Sequence, residues 1–358
     1  MLAAENAGGV LLNAQHNFAW LTGGKSNAIN KSAENGACFL LVRGDGKRYV
    51  LANNIEMPRL LSEEISADDY EPIEFSWQAE KASGDFIIEK AVSLLGENKN
   101  LASDLSLNAR VKPSENLIAR CRYELTRTEI ERYRALGKDA SRAVSDLIKT
   151  INAGETEIEI ARKTRNELAR FNIDAVVTLV GADERIERYR HPVPTSNIWR
   201  KSLLVAVCAK RAGLIVNLSR IVSIGAISDE LQRRTEAAAH VFAALLDRTR
   251  IGAAGAELYQ TAANAYREKN YESEINQHHQ GGATGYKTRD WVVHPQSSET
   301  VFHNQAFAWN PSITGTKVEE TALVSGDGVE IITESADFPA ITVQIGARAY
   351  SAPGILSV

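Results

Sequence analysis

Two helix-start signals in the middle of the sequence limit most strongly what this chain can fold into. Thr126 with Glu129, and Thr156 with Glu159, have the spacing of capping boxes, in which two side chains satisfy backbone N–H groups at a helix start. After the first box, apolar residues recur at helical spacing, which predicts one long helix with a buried face. These residues are Ile130, Tyr133, Ala140, Val144, Leu147 and Ile151. The second helix is predicted to end near Arg170.

Beyond these helices the sequence alternates between strand and helix patterns. Apolar runs bounded by turn residues predict strands. The runs are residues 175–180, 203–207, 214–218, 306–310, 321–325 and 329–333. Helices are expected over residues 229–247, with Ser228 as the cap, and over residues 257–269. His240 lies within the first of these helices, and we expect it to be structural because the sequence shows no partner for it.

The first part of the chain predicts a small α/β domain with mixed strands. Strands are predicted at residues 10–12, 18–21, 38–42, 49–52 and 101–105. The third and fourth flank an Asp-Gly turn, which is typical of a β-hairpin. A helix is expected over residues 79–95, and residues 111–115, with Pro113, are expected to be a linker. The predicted domains are therefore residues 1–112 and residues 113–358.

Composition and charge narrow the class of protein. A length of 358 residues favours two domains, and the net charge of −4 argues against a general nucleic-acid or anionic-membrane binder. Three distant cysteines, Cys38, Cys121 and Cys208, indicate neither a disulfide framework nor a zinc knuckle. With no secretory signal and no apolar run long enough for a bilayer, a cytoplasmic protein with a small-molecule substrate is expected.

The stretch NQHHQGGATGYKTR, residues 276–289, concentrates the reactive side chains of this sequence. Adjacent histidines, His278 and His279, suit metal ligation, acid/base work or an anion site. The glycines allow a sharp turn or the close approach of a ligand. A polar loop with two solvated histidines is the alternative at this point.

Four motifs in order give the chain a family resemblance. They are NFAWLTGG at residues 17–24, LTRTEIERYRALGKDASRAV at residues 125–144, RHPVPT at residues 190–195 and GTKVEETALV at residues 315–324. The chain resembles the creatinase and Xaa-Pro aminopeptidase group, peptidase family M24. The resemblance implies an α+β fold, in which a smaller creatinase N-terminal-like α/β domain precedes a C-terminal pita-bread domain. It also implies a homodimer.

Comparison with the same family indicates that this chain lacks most of the family's metal ligands. Its peptidases hold two divalent metals with two aspartates, one histidine and two glutamates, a set of mostly anionic ligands that suits water activation. The corresponding positions here are Ala206, Asn217, Gly282, Asn310 and Glu319. Because only Glu319 keeps a ligand, no metal or other cofactor is expected. The two glycines, Gly281 and Gly282, are expected to leave room where a side chain and metal would be.

Creatinase, which resembles the peptidases but works without metal, implies roles for the remaining residues. His191 in RHPVPT matches the histidine that acts as general acid/base, and His278 matches a substrate-contacting histidine. Arg289 stands where relatives keep a substrate-positioning histidine and suits a carboxylate or phosphate. The predicted catalytic residues are His191, His278 and Glu319. The predicted substrate-binding residues are His279, Arg289, Asn310, Asn217, Ser219 and Glu320.

These residues leave three functions open. The first is a metal-independent hydrolase of creatinase type, which cleaves an amide or amidine C–N bond in a small carboxylate-bearing molecule. Ser219 departs from that type, since creatinase keeps a glutamate there. The second is a catalytically inactive pita-bread binding module, and the third is a metal-dependent Xaa-Pro aminopeptidase or dipeptidase. Polar side chains that converge on one space would favour the first function over the second, and side chains that point apart would favour the second.

Overall fold

The computed structural model describes residues 1–326 and 328–358. The chain forms two compact units, Met1–Arg122 and Tyr123–Val358. Residues 111–115 are not the linker that the sequence predicts, because Lys112–Pro113 pairs in parallel with Leu101–Ser103 inside the first unit. Proline is tolerated there because the strand lies at the edge of its sheet.

The first unit is built on one mixed sheet in the order β4-β3-β2-β1-β5-β6. Its strands are β1 (Gly9–Ala14), β2 (Asn35–Arg43), β3 (Arg48–Asn53), β4 (Glu71–Phe75), β5 (Leu101–Ser103) and β6 (Lys112–Pro113). Its helices are α1 (Leu2–Glu5), α2 (Gln15–Leu21), α3 (Met57–Arg59), α4 (Trp77–Ala82), α5 (Phe86–Leu94) and α6 (Glu115–Cys121), with a π-helical turn at Leu60–Glu64. Leu12 and Leu11 belong to separate apolar clusters, because successive strand residues face opposite sides.

The predicted hairpin is confirmed, since β2 and β3 pair antiparallel around the Asp-Gly turn. Residues 18–21, predicted as a strand, belong instead to helix α2. Gly23 and Gly24 have positive φ, and the Gly24 N–H donates to the Ala19 carbonyl at 2.7 Å, a glycine-based helix end. The predicted helix over residues 79–95 is two helices, because Ser83 and Gly84 interrupt it.

Glu115 ties helix α6 to helix α2 by buried polar contacts. Its carboxylate lies 3.0 Å from His16 Nε2 and accepts hydrogen bonds from Asn17 at 2.8 Å and Arg122 at 2.8 Å. Burial alone would raise the pKa of Glu115, but the contact with His16 and the charge of Arg122 outweigh it and lower the pKa to about 2. The folded first unit therefore favours the ionised carboxylate.

Both predicted capping boxes are present at the helix starts of the second unit. Thr126 and Glu129 close one, and Thr156 and Glu159 close the other. The helices are α7 (Arg127–Ile148), α8 (Glu157–Ala169), α9 (Glu184–Arg188), α10 (Asp229–Arg248) and α11 (Gly255–Glu268), with a 3₁₀ turn at Glu272–Asn276. His240 on α10 hydrogen-bonds Glu268 at 2.9 Å, in agreement with the expected structural histidine.

The described strands of the second unit form two main sheets, β19-β9-β8-β7 and β11-β10-β12-β15-β16, and two ribbons, β13-β14 and β17-β18. Strand β7 (Asp174–Ala182) precedes a long hairpin, which is formed by β8 (Ser202–Arg211) and β9 (Leu214–Ser223). The remaining strands are β10 (Gly281–Thr284), β11 (Trp291–Val292), β12 (Ala306–Trp309), β13 (Ser312–Ile313), β14 (Thr316–Lys317), β15 (Glu320–Ser325), β16 (Gly328–Ile331), β17 (Ala340–Ile345), β18 (Arg348–Pro353) and β19 (Ile355–Ser357).

The register of the β8–β9 hairpin sets which side chains share a face. Ala212 and Gly213 have positive φ and form the tight turn between the strands. Cys208 therefore lies opposite Asn217, and Ala206 lies opposite Ser219. Within residues 1–326 and 328–358, no helix has the length and apolar character needed to cross a bilayer.

Candidate active site

A cavity of ≈ 160 Å³ lies within the second unit, between the hairpin sheet and the loops around β10 and β14. Strands β7, β8 and β9 supply one wall, and later parts of the chain supply the polar side. The lining residues are Val177, Leu179, His191, Ala206, Val207, Cys208, Asn217, His279, Thr288, Arg289, Asn310, Lys317 and Glu319. Distant segments thus place charged, amide and imidazole groups around one space.

Two cations flank a single carboxylate in this cavity. Arg289 Nη2 donates to Glu319 Oε1 at 3.4 Å, and Lys317 Nζ lies 3.8 Å from Glu319 Oε2. Lys317 and Glu319 are 6% and 5% exposed, so water screens these charges little. With one negative and two positive groups, the three side chains carry a formal charge of +1. An anionic ligand group is therefore favoured here.

Three histidines form a cluster beside the cations. His278 Nε2 and His191 Nε2 are 3.1 Å apart. The ring of His279 stacks on that of His278, with centroids 4.4 Å apart and an angle of 24° between the planes. The stacking is possible because the chain turns and bends at residues 277–278 and does not form a strand before residue 281. His279 therefore does not point away from its neighbour, as an extended segment would require.

The histidines are neutral at neutral pH. Burial, followed by the charge of Lys317, lowers the pKa of His191. The same two causes hold the pKa of His278 far below its usual range. Burial and then the charge of Arg289 lower the pKa of His279 to about 4. Each neutral imidazole has one ring nitrogen that bears a lone pair, and in the His191–His278 contact one of these lone pairs accepts the hydrogen bond.

An ion pair fixes the two segments that carry the histidines. Arg190, next to His191, pairs with Glu274 in the 3₁₀ turn that leads to His278. Arg190 Nη2 also donates to Thr314 Oγ1 at 3.0 Å, and Thr314 Oγ1 donates to Glu274 Oε1 at 3.0 Å. Because Glu274 is buried, this charge-assisted network is stronger than an exposed pair. It holds His191 and His278 at their close spacing.

The backbone at His278 has a second support. Gln280 Nε2 donates to the His278 carbonyl at 2.5 Å. Tyr266 on α11 donates its hydroxyl to Gln280 Oε1 at 2.8 Å. The cluster therefore rests on a packed helix and not on the loop alone.

Two buried amide oxygens and one thiol complete the polar side of the cavity. Within the described part of the chain, Asn217 Oδ1 and Asn310 Oδ1 have no hydrogen-bond partner. Unpaired buried acceptors are costly, so they suit a ligand that brings N–H groups. Burial raises the pKa of Cys208 to about 12, so this thiol stays protonated and is a poor nucleophile.

The cavity gathers most of the predicted site residues, but not all. His191, His279, Arg289, Asn217, Asn310 and Glu319 line it, and His278 contacts His191. Glu320 lies elsewhere, paired with Arg220 at 2.9 Å and with Thr333 at 2.5 Å. As the neighbour of Glu319 on an extended segment, it faces the opposite side. Ser219 is buried beside this region but does not line the cavity.

The expected space at Gly281 and Gly282 is absent. A Cβ atom at Gly282 would lie 2.1 Å from the Trp291 carbonyl oxygen, and one at Gly281 would lie 2.1 Å from the Ala308 carbonyl oxygen. Gly282 pairs with both Ala308 and Val292. These glycines therefore permit close strand pairing and do not enlarge the cavity.

Lys317 is the functional candidate that sequence reasoning missed. It stands two residues before Glu319, in the segment GTKVEE, so strand alternation would place both on one side. That alternation was the available signal. Cys208 could have been found in the same way, two residues after Ala206.

Solved structures with this architecture include dipeptidases, an aminopeptidase and a subunit of the FACT complex. The Xaa-Pro dipeptidase from Bacillus anthracis has a TM-score of 0.76 at 16% identity, covering 100% of this chain and 97% of that chain. The X-Pro aminopeptidase from Thermotoga maritima MSB8 has a TM-score of 0.75 at 18% identity, covering 100% and 97%. The N-terminal domain of the FACT complex subunit SPT16 from Cicer arietinum (chickpea) has a TM-score of 0.68 at 12% identity, covering 93% and 92%.

These likenesses establish a pita-bread domain preceded by a smaller N-terminal domain, as the sequence predicts. Residues 131–333 match the model of metallopeptidase family M24, and this chain belongs to that family. No curated protein matches the sequence.

The residues at the family's metal positions do not fit two divalent ions. Ala206, Asn217, Asn310 and Glu319 all line the cavity, which supports their alignment with the family's ligand positions. Their one carboxylate already lies between the guanidinium of Arg289 and the ammonium of Lys317. Two dications would meet net positive charge and a single anionic ligand, whereas such ions need several hard oxygen donors.

Proposed function

We propose that this chain is a hydrolase that cleaves a C–N bond, amide or amidine, in a small molecule that carries a carboxylate, without the dinuclear metal centre of its family. The observation that carries this proposal is that a buried lysine, Lys317, and a half-buried arginine, Arg289, flank the single carboxylate of Glu319. They supply positive charge where the family's metals would supply it.

The dimensions and polarity of the cavity define the substrate class. A space of ≈ 160 Å³ is close to the volume that holds one benzene in an engineered protein cavity, about 150 Å³. The substrate is therefore about the size of a single acylated amino acid. Its carboxylate binds Arg289 or Lys317, and its N–H groups donate to the free oxygens of Asn217 and Asn310.

The proposed chemistry uses a neutral histidine. His191 removes a proton from water as the water oxygen attacks the carbonyl or amidine carbon. The remaining cation stabilises the negative charge that develops on the substrate. His191 then returns the proton to the leaving nitrogen as the C–N bond breaks, so one water is consumed. His278, 3.1 Å from His191, orients that ring.

An inactive binding module is the second candidate function. It is supported by the structural likeness to the N-terminal domain of a FACT complex subunit, which is part of a larger assembly. Convergence of imidazole, guanidinium, ammonium, carboxylate and amide groups in one cavity favours the hydrolase, because a site without function has no reason to keep them together.

A metal-dependent Xaa-Pro peptidase is the third candidate, favoured by the structural neighbours. Lys317 and Arg289 argue against it, since each would repel a divalent ion in the space that the metals need.

The proposal is tested with N-acylglycines and small guanidino acids, incubated with chelator-treated protein and followed by NMR for release of the C–N cleavage products. We expect turnover in the presence of the chelator. His191→Ala should lower the rate by roughly 10²-fold or more, the usual contribution of an acid/base group, while His240→Ala should not. Turnover that survives in His191→Ala, or that needs added metal, would refute the mechanism.

A further inference from the structure

The histidine cluster has a property that hydrolysis does not use: three residues each place an imidazole nitrogen in the same small region. The candidate ligand atoms of His191, His278 and His279 all lie within 4.8 Å of one another. None of these positions corresponds to the family's metal ligands, which fall on Ala206, Asn217, Gly282, Asn310 and Glu319. We propose that the three histidines form a binding site for one zinc-class divalent ion.

The spacing within the cluster is that of a tetrahedral site. Zinc–nitrogen bonds of about 2.0–2.1 Å at tetrahedral angles place two ligand nitrogens about 3.3 Å apart. His191 Nε2 and His278 Nε2 are 3.1 Å apart, so two of the three ligands already stand at the required separation. Rotation of the His279 side chain closes the third side of the site, because its candidate ligand atom lies within 4.8 Å of the other two.

Neighbouring residues hold the backbone of the cluster, but the His278 ring has few hydrogen-bond partners. The Arg190–Glu274 pair and Gln280 fix the backbone on both sides. Among the residues that the structure describes, His278 Nδ1 is buried with no hydrogen-bond partner. The only polar contact that the structure gives the His278 ring is thus its Nε2 contact with His191. Metal bonds would replace that single contact between two neutral rings.

Charge near the cluster decides which ion binds. Lys317 and Arg289 repel any cation, so hard ions that depend on anionic oxygens, such as Mg²⁺ and Mn²⁺, are disfavoured. Zn²⁺ and Co²⁺ accept neutral imidazole. Lys317 and Arg289 also favour an anion, such as chloride, as the fourth ligand.

One consequence rests on the proposed function. A bound ion would take the lone pair of His191 that hydrolysis needs, so zinc is expected to inhibit. If zinc binds but does not inhibit, the proposed function fails and the metal site stands. The two outcomes are distinguishable because metal binding is measured without substrate.

The test is a zinc titration of tag-free, chelator-treated protein against a chromophoric competing chelator. We expect one equivalent of Zn²⁺ per chain and no binding of Mg²⁺ at the same concentrations. His279→Ala should weaken zinc binding by about tenfold or more, since even the loss of an outer partner costs 10–100-fold. His240→Ala, outside the cluster, is the matched control. Absence of zinc binding, or equal binding by His279→Ala, would overturn the proposal.

A second measurement tests the site even if the His279→Ala variant does not fold. X-ray absorption of the zinc-loaded natural protein reports the ligand atoms directly. A shell that includes three imidazoles would support the site, whereas a shell made mainly of carboxylate oxygens would refute it.

Discussion

At the residue scale, the surroundings of one carboxylate argue against the dinuclear metal centre of this family. Glu319 stands at the last ligand position but contacts Arg289 and Lys317. A buried carboxylate between two cations is neutralised by protein groups and has little capacity left for a metal. The two cations are not fully balanced by this carboxylate, and the proposed preference for acids rests on that surplus of positive charge.

The backbone around Gly282 leaves no room for a side chain at the position of the family's histidine ligand. Gly282→Ala should lower the free energy of unfolding by about 1–3 kcal/mol, the usual cost of overpacking, because its Cβ would lie 2.1 Å from the Trp291 carbonyl oxygen. Gly285→Ala is the control, since its Cβ would meet only the Asp290 carboxylate at 3.5 Å. Urea unfolding measures both. Equal stability of the two variants would show that the strands move apart to admit a side chain.

At the element scale, local signals predicted some elements well and others poorly. The helices that begin after Thr126 and Thr156 could be predicted because each capping box acts within one turn. The sequence of residues 18–21 predicts a strand, and wrongly, because a run of four apolar residues has no period that distinguishes a strand from a helix. Their helix depends on glycines that follow it and on buried contacts from distant residues, such as those of Glu115 with Asn17.

Glu115 makes the link between helices α2 and α6 depend on pH. Because the folded-state pKa of about 2 lies below the ordinary 4.5, its contribution is present above pH 4.5 and is lost as pH falls toward 2. Glu115→Gln should therefore lower the free energy of unfolding by roughly 1–3 kcal/mol at pH 7. The difference from the natural protein should shrink below pH 4.5. Urea unfolding at several pH values checks this, and a constant difference would contradict it.

At the scale of the whole molecule, the fold and the cavity were predictable to different extents. Motif order along the chain predicted the pita-bread architecture, and four of the five aligned positions line the candidate cavity. The chemistry of the cavity could not be predicted completely, because the role of Lys317 depends on its distance of 3.8 Å from Glu319 in the folded chain. The positions of Glu320 and the glycines depended in the same way on strand facing and strand pairing.

The central claim is that a cation pair, and not a metal pair, binds the acid group of a small substrate. Its most direct test is calorimetric titration of N-acetylglycine into the protein in the presence of a strong chelator. Lys317→Met is the variant, and Lys269→Met, at an exposed position, is the control.

We predict that the natural protein and Lys269→Met bind N-acetylglycine without metal. Lys317→Met should bind about tenfold more weakly or worse, because a hydrogen bond to a charged group contributes about 1.5–3 kcal/mol. Binding that appears only after Mn²⁺ is added, or equal binding by Lys317→Met, would contradict the account.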